Sequence, residues 1–296
     1  MCGICGFTGK HEEMFTRNVL SGMMQTMAHR GPDGEGTYYG EGIALGFRRL
    51  AIIDLKDGGQ PFFNEMGNIV SICNGEIYNY PELRSELIGK GHHLNTHCDA
   101  EIVVHAYEEW GEGLVNHFRG MYAFVIWDAW EEKLFVVRDP FGIKPLYYTM
   151  IDGCLVFASE IKTILSWPGY RPVLNEEALS MYLSFQYSVL PETFFKGIYR
   201  LMPGSMMMKD KNGINIKRYF RPELTPGQYR NNKQVTIHDL ETAISDSVAC
   251  HMRSDTEIGL FLSGGIDSIN LAALAGVEKA FTVGFEEEGY NEALTS

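Results

Sequence analysis

Apolar positions recur along this chain with two different periods. Residues 2–8 alternate small and apolar side chains and predict a short strand that opens at Cys2. Leu20, Met23, Met24 and Met27 then recur at helical spacing, so an amphipathic helix is expected over about 16–28. It is stopped by His29-Arg30-Gly31-Pro32-Asp33, which holds both strong breakers. The short apolar runs 43–47, 50–55 and 69–73 have turn residues between them and read as strands. Pro81 suits the first turn of a helix running to about Ile88, closed by Gly89 and Gly91. Asp99 precedes Ile102, Val103, Ala106, Tyr107 and Trp110, with Gly111 behind them, which is the pattern of a capped helix. Runs 121–127, 133–138, 146–149 and 155–158 form a meander of strands. Strands, two or three helices, then more strands predict an α+β layered domain rather than a regular βαβ alternation.

The pattern changes near residue 236. Residues 221–235 are polar, contain two prolines and read as a linker. Leu240, Ile244, Val248 and Met252 then recur every four residues and predict a helix over 237–252. A buried strand over 257–262, a helix over 266–274 and a second strand over 280–285 follow. Strand, turn, helix and strand in that order suggest a parallel α/β unit. The expected organisation is therefore a domain over 2–220, a linker over 221–235 and a second, incomplete domain over 236–296.

Composition narrows the function classes. A net charge of -13 over 296 residues argues against nucleic acid or an anionic membrane surface as the main partner. No apolar run approaches the ~20 residues of a membrane-crossing helix, and MCGICGFTGK lacks the form of a secretory leader. Scattered cysteines at 2, 5, 73, 98, 154 and 250 are expected to be reduced, in a cytoplasmic protein.

Taken singly, the candidate chemical residues have ordinary explanations. Cys2 follows the initiator Met; removal of Met1 would leave a thiol and a free α-amine in one residue, nucleophile and base together. A second-position Cys is nevertheless incidental more often than not. Cys2-x-x-Cys5 invites a metal or redox reading, but no further Cys or His pair at ligand spacing supports it, and no metal site is assigned. Asn74-Gly75 between apolar runs reads first as a hairpin turn and second as a pair of oxyanion donors. An N-cap accounts for Asp99. Arg49 would end a strand, and Glu76 would be one more solvated carboxylate.

Their joint occurrence changes the weighing. Cys2-Gly-Ile-Cys-Gly-Phe7, Arg30-Gly-Pro-Asp33, Arg49-Leu-Ala-Ile-Ile-Asp54, Asn74-Gly-Glu-Ile-Tyr-Asn79, Arg138-Asp-Pro-Phe-Gly-Ile-Lys-Pro145 and Phe157-Ala-Ser-Glu160 appear in order. Together they resemble the class II glutamine amidotransferases, members of the N-terminal-nucleophile hydrolases. The resemblance implies a four-layer αββα fold over about 2–220 and the following roles. Cys2 attacks the side-chain amide of glutamine, and Asn74 with Gly75 holds the oxyanion. Arg49 grips the substrate carboxylate, Glu76 and Asp99 take its ammonium, and Leu50 and Ile53 line the same site. Those charges suit an amino acid: a guanidinium pairs bidentately with a carboxylate, and two carboxylates suit an ammonium. The segments 30–33 and 138–145 are read as framework without a chemical role.

Ser263-Gly-Gly-Ile-Asp-Ser268 stands between an expected strand and an expected helix, where a glycine-rich turn exposes N–H groups to an anion. It lacks the Lys of the common triphosphate loop. The segment resembles the pyrophosphate loop of ATP pyrophosphatases, and an amidotransferase followed by this loop is similar to the glutamine-hydrolysing asparagine synthetases of the B type. The stretches 182–188, 201–204 and 281–287 also resemble that family. The resemblance implies ATP with Mg2+, aspartate as acceptor through a β-aspartyl adenylate, and ammonia carried from the glutaminase site through a tunnel. It assigns ATP to Leu262, Ser263, Gly264, Gly265, Asp267, Ser268 and Val283, and it leaves a homodimer open.

Two features depart from that pattern. Ile269 stands where the family has a second Ser, and only about 60 residues follow the linker, too few to bury a core of the expected kind. The expected function is therefore that of a glutamine-hydrolysing asparagine synthetase lacking most of its synthetase domain, with glutamine hydrolysis as the activity expected of this chain alone. The alternatives are another class II amidotransferase, against which the Ser263–Ser268 loop speaks, and a non-catalytic glutamine-binding or assembly remnant.

Overall fold

The computed structural model describes residues 1–223 and 233–284. They form two compact units, Met1–Pro222 and Glu223–Ser296, and each is considered by itself.

The first unit holds strands β1 (Gly3–Thr8), β2 (Gly34–Gly40), β3 (Ile43–Arg49), β4 (Phe62–Phe63), β5 (Ile69–Ile77), β6 (Gly120–Asp128), β7 (Lys133–Arg138), β8 (Tyr147–Ile151), β9 (Cys154–Ala158), β10 (Tyr199–Arg200), β11 (Ser205–Asp210) and β12 (Gly213–Arg218). Helices are α1 (Glu13–Thr26), α2 (Tyr80–Gly89), α3 (Ile102–Trp110), α4 (Ile161–Leu165) and α5 (Glu176–Phe185). The strands make two antiparallel six-stranded sheets, ordered β10-β8-β9-β1-β3-β2 and β12-β11-β7-β6-β5-β4.

Period-2 alternation divides each central strand between two cores. On β6, Ala123, Val125 and Trp127 face the other sheet, whereas Tyr122, Phe124 and Ile126 face α2 and α3. On β1, Ile4 faces the other sheet, whereas Cys5 and Phe7 meet Leu20, Met23, Met24 and Met27 of the α1 region. Three cores between successive layers make the order helix, sheet, sheet, helix, a four-layer αββα arrangement. Run 121–127 is apolar throughout because both of its faces are covered.

Several expectations are corrected. Residues 50–55 are bends and turns, not a strand; Asp54 has φ 52°, outside the extended region. Asn74 and Gly75 lie inside β5, paired with Ala123 and Tyr122, so no hairpin turn occurs there. Asp99 is not a side-chain cap: a 3-10 turn, Asp99–Glu101, leads into α3, and the Asp99 carboxylate reaches across to β5 instead. Strands β2, β4 and β10–β12 were not expected from the sequence; β4 and β10 are only two residues long, and β2 carries no apolar run.

The second unit contains α6 (Lys233–His251), β13 (Gly259–Phe261), α7 (Ile266–Ala275) and β14 (Lys279–Phe281). β13 and β14 pair in parallel, as the strand–helix–strand order requires. The expected buried strand over 257–262 is shorter and exposed: Phe261 is 83% accessible. Most of the expected linker, residues 224–232, and the end of the expected strand over 280–285 lie outside the described residues.

Candidate active site

Cys2 immediately precedes β1 and packs on the core between the sheets. On β5, Val70 and Ile72 face that same core, so the alternation carries on to place the Asn74 side chain in the gap between the sheets. One pocket is lined by Met1, Cys2, Arg49, Leu50, Ile53, Asn74, Gly75, Glu76 and Asp99. The first-unit residues given a site role from the sequence, Cys2, Arg49, Leu50, Ile53, Asn74, Gly75, Glu76 and Asp99, therefore all line a single cavity.

The nucleophile end is held from several directions. Arg30 Nε donates to the Cys2 carbonyl at 2.9 Å, and its Nη1 reaches Glu160 at 3.1 Å. Asp33 accepts from the Ala51 N–H at 2.9 Å. A Cβ on Gly31 would stand 2.3 Å from the Arg48 carbonyl carbon, so only glycine lets this turn lie against β3. The 30–33 turn thus fixes both Cys2 and the start of the 50–55 segment. Cys2 Sγ stands 3.4 Å from the Leu50 N–H and 3.5 Å from the Leu50 carbonyl. Burial pushes the Cys2 thiol above its ordinary value, while the Leu50 N–H and the nearby chain-terminal ammonium pull it back.

Asn74 is buried, and its amide nitrogen Nδ2 has no hydrogen-bond partner. A buried donor left unpaired costs about 1–3 kcal/mol, so a donor aimed into a cavity at this cost marks a place where an acceptor arrives. Gly75 follows it where a Cβ would lie 2.3 Å from the Met121 carbonyl oxygen. Across the pocket, the Arg49 guanidinium donates to the carbonyls of Ile53, Asp54 and Leu55. A Cβ on Gly58 would come within 2.4 Å of Arg49 Nη2, so Gly58 leaves the room that guanidinium occupies.

Asp99 accepts from the Ile77 N–H at 2.8 Å. Burial pushes its carboxyl up to about 6, the Ile77 N–H opposing and the neighbouring Glu76 charge adding to the rise. Two carboxylates converging on one buried position favour a cation between them. A guanidinium, two carboxylates, an unpaired amide donor and a thiol form a set complementary to a zwitterionic amino acid with an electrophilic side-chain carbonyl.

Lys144 also lines the pocket, from the segment read as framework. Arg138 donates to the carbonyls of Lys144, Gly142 and Leu201, and Asp139 accepts from the N–H groups of Phe141, Ile143 and Lys144. This self-bonded loop delivers a buried cation to the thiol's surroundings. The only signal in the chain is a lysine flanked by Ile and Pro.

In the second unit, Leu262, Ser263, Gly264 and Gly265 connect β13 to α7, with Asp267 and Ser268 in the first turn of that helix. Gly264 has φ 70°, which suits glycine. Ser268 Oγ accepts from the Ser263 N–H at 3.2 Å and donates to the Gly265 carbonyl at 3.0 Å. Val283 follows β14, the parallel neighbour of β13, so it stands with Leu262 at the carboxyl ends of the two strands, where open α/β sheets bind ligands.

The comparisons with known proteins accord with this geometry. The family described as "Glutamine amidotransferase domain" matches residues 1–220, and the family described as "Asparagine synthase" matches residues 239–296. The chain belongs to the glutamine amidotransferase domain family. Among individual relatives, it is 42% identical over 99% of its length to asparagine synthetase [glutamine-hydrolyzing] 1 of Bacillus subtilis (strain 168), of which it covers 47%. It is 37% identical, again over 99%, to a putative asparagine synthetase [glutamine-hydrolyzing] of Mycobacterium bovis, covering 49% of that protein. The chain thus spans about half the length of these curated relatives. Among solved structures, the glutamine phosphoribosylpyrophosphate amidotransferase of B. subtilis superposes with TM-score 0.55 at 17% identity, over 95% of this chain and 65% of that one. At that identity the likeness concerns the fold.

Proposed function

We propose that the first unit hydrolyses glutamine at Cys2 and that the protein uses the ammonia to amidate aspartate. The carrying observation is the unpaired, buried Asn74 amide beside the thiol. Arg49 would receive the substrate carboxylate, and Glu76 with Asp99 its ammonium, which sets the side-chain amide carbon against Cys2 Sγ. Attack forms the S–C bond, with the developing oxyanion taken by Asn74 Nδ2 and the Gly75 N–H. With Met1 removed, the Cys2 α-amine would accept the thiol proton and pass it to the departing nitrogen as ammonia leaves. Water then cleaves the thioester to glutamate. An amine at this end of β1 is suited to the role: burial, with Arg30 and Lys144 nearby, holds the Met1 α-ammonium below its ordinary value.

The relatives named above supply the second half of the reading. Leu262–Gly265, Asp267, Ser268 and Val283 would hold ATP with its Mg2+, a glycine-rich turn at a helix start being suited to phosphate. Aspartate would be activated as its β-adenylate, releasing pyrophosphate, and ammonia would displace AMP. Free thiols at all six cysteines suit a cytoplasmic setting, and among the described residues no helix is long and apolar enough to cross a membrane.

The test incubates the processed chain with glutamine, aspartate and MgATP and quantifies glutamate and asparagine in the same samples. Glutamate is expected from the parent and none above background from Cys2→Ala. Asn74→Ala should lower kcat by about 10²–10³ while the fold persists. Glutamate formation by Cys2→Ala near the parent rate would sink the assignment. Asparagine formation would place amidation within this chain; glutamate alone would place it in the part of the relatives that the chain does not span.

A further inference from the structure

A second constellation lies outside that pocket. Glu65 follows β4, His92 follows α2, and His105 and Glu108 stand three residues apart on one face of α3. One ligand atom from each of the four residues falls within 4.8 Å of all the others. Glu65 Oε1 is 3.4 Å from His105 Nδ1 and 3.5 Å from His92 Nδ1, and Glu108 Oε2 is 3.9 Å from His92 Nδ1. Ligands about 2.0–2.1 Å from a tetrahedral ion stand about 3.3 Å apart, so these separations approximate the edges of such a tetrahedron.

Two further observations point to an ion. His105 is fully buried, yet neither ring nitrogen has a hydrogen-bond partner. Glu65 lies beside its Nδ1 at contact distance but off the hydrogen-bond direction, so an ordinary His–Glu network does not account for the ring. The outward nitrogens also meet fixed carboxylates. His92 Nε2 is 3.5 Å from Glu109, which Lys90 holds at 2.6 Å. His105 Nε2 is 3.9 Å from Glu101, which the Asn95 and Thr96 N–H groups hold at 2.6 and 2.7 Å. Asn64 Nδ2 donates to the other oxygen of Glu108, and the His93 N–H donates to Glu65. Both imidazoles thus turn Nδ1 inward and Nε2 to the side of a fixed carboxylate, 3.5 Å away for His92 and, beyond hydrogen-bond reach, 3.9 Å away for His105.

We propose that Glu65, His92, His105 and Glu108 form a structural site for a divalent transition-metal ion of the zinc kind. Two neutral imidazoles and two carboxylates balance its charge. Four protein ligands leave no open position, as in structural rather than catalytic sites. The ion would tie the segments after β4 and α2 to α3, whose leading turn carries Asp99. The spacing along the chain does not announce such a site, because its ligands come from three separate elements.

The test uses the 296-residue chain carrying Cys2→Ala, so that the pocket thiol contributes no ligand. After chelator treatment it is titrated with Zn2+ against a chromogenic chelator, beside the same chain with His92→Gln or Glu108→Gln, both positions outside the deep core. One Zn2+ per chain is expected, with a raised thermal midpoint. Either substitution should weaken binding by about 100-fold or more, since outer partners alone are worth 10–100-fold. With Co2+, a visible tetrahedral spectrum without a sulfur charge-transfer band is expected. Absence of stoichiometric Zn2+ binding, unchanged affinity in both variants, or a thiolate band would overturn the site.

Discussion

Asp99 shows how one residue acquires a role that its local sequence hides. At the head of an apolar helix pattern it reads as a cap, but the structure sends its carboxylate to the Ile77 N–H and beside Glu76. Burial raises it to about 6 from an ordinary 3.8, so the folded state holds a proton that the unfolded chain releases. The stability contributed by the protonated form is full below pH ~4 and is lost as pH rises through ~6. That interval corresponds to at most about 3 kcal/mol. Asp99→Asn is therefore expected to be more stable than the parent at pH 7.5 and nearly equal at pH 4, read from urea midpoints at both values. The same variant should bind glutamine poorly, and kcat/KM of the parent should fall as pH drops below ~6. A stability difference independent of pH would refute the buried-carboxyl account.

At the scale of elements, the site depends on β5 and β6 lying unusually close where β5 reaches the pocket. A methyl group on Gly75 would press on the Met121 carbonyl and the Tyr122 Cα, which are backbone atoms unable to swing aside. Gly75→Ala should therefore cost about 1–3 kcal/mol or more by overpacking, seen as a lower denaturation midpoint with reduced glutaminase rate. A midpoint equal to the parent's would show that the strands have room there. Strand parity explains why the neighbour matters: Asn74 faces the other sheet, as Val70 and Ile72 do, and a slip of one residue would turn it away from Cys2. Gln60 supports this edge, its side chain exchanging hydrogen bonds with the Cys73 backbone beyond the end of the short β4.

For the whole molecule, the two units differ in how they hold together. Among the described residues, all three apolar cores, and every residue lining the thiol pocket, belong to residues 1–222. Among the described residues of the second unit, only Val248 and Cys250 are buried apolar residues. A chain ended after Pro222 should fold and keep kcat/KM for glutamine within about twofold, because a domain with its own core carries its own stability. An aggregated product, or one without glutaminase activity, would show that the first unit depends on the second.

The apolar runs 121–127 and 133–138, the Leu20–Met27 stripe and the glycine turn at 264 were legible in the sequence because each expresses a local constraint of backbone or burial. The set Cys2, Arg49, Asn74, Glu76 and Asp99, which the structure gathers around one pocket, came from the family resemblance and not from any one residue's surroundings. The tertiary structure alone decided that Asn74-Gly75 is strand and not turn, since pairing with Ala123 and Tyr122 overrides the local preference for a hairpin. It also decided that residues 50–55 bend around Arg49, and that Lys144 enters the pocket on a loop closed by Arg138 and Asp139. The meeting of Glu65, His92, His105 and Glu108 was likewise decided only in three dimensions. Period and propensity describe neighbours along the chain, whereas a buried charge or ligand set depends on which distant segments the packed layers bring face to face.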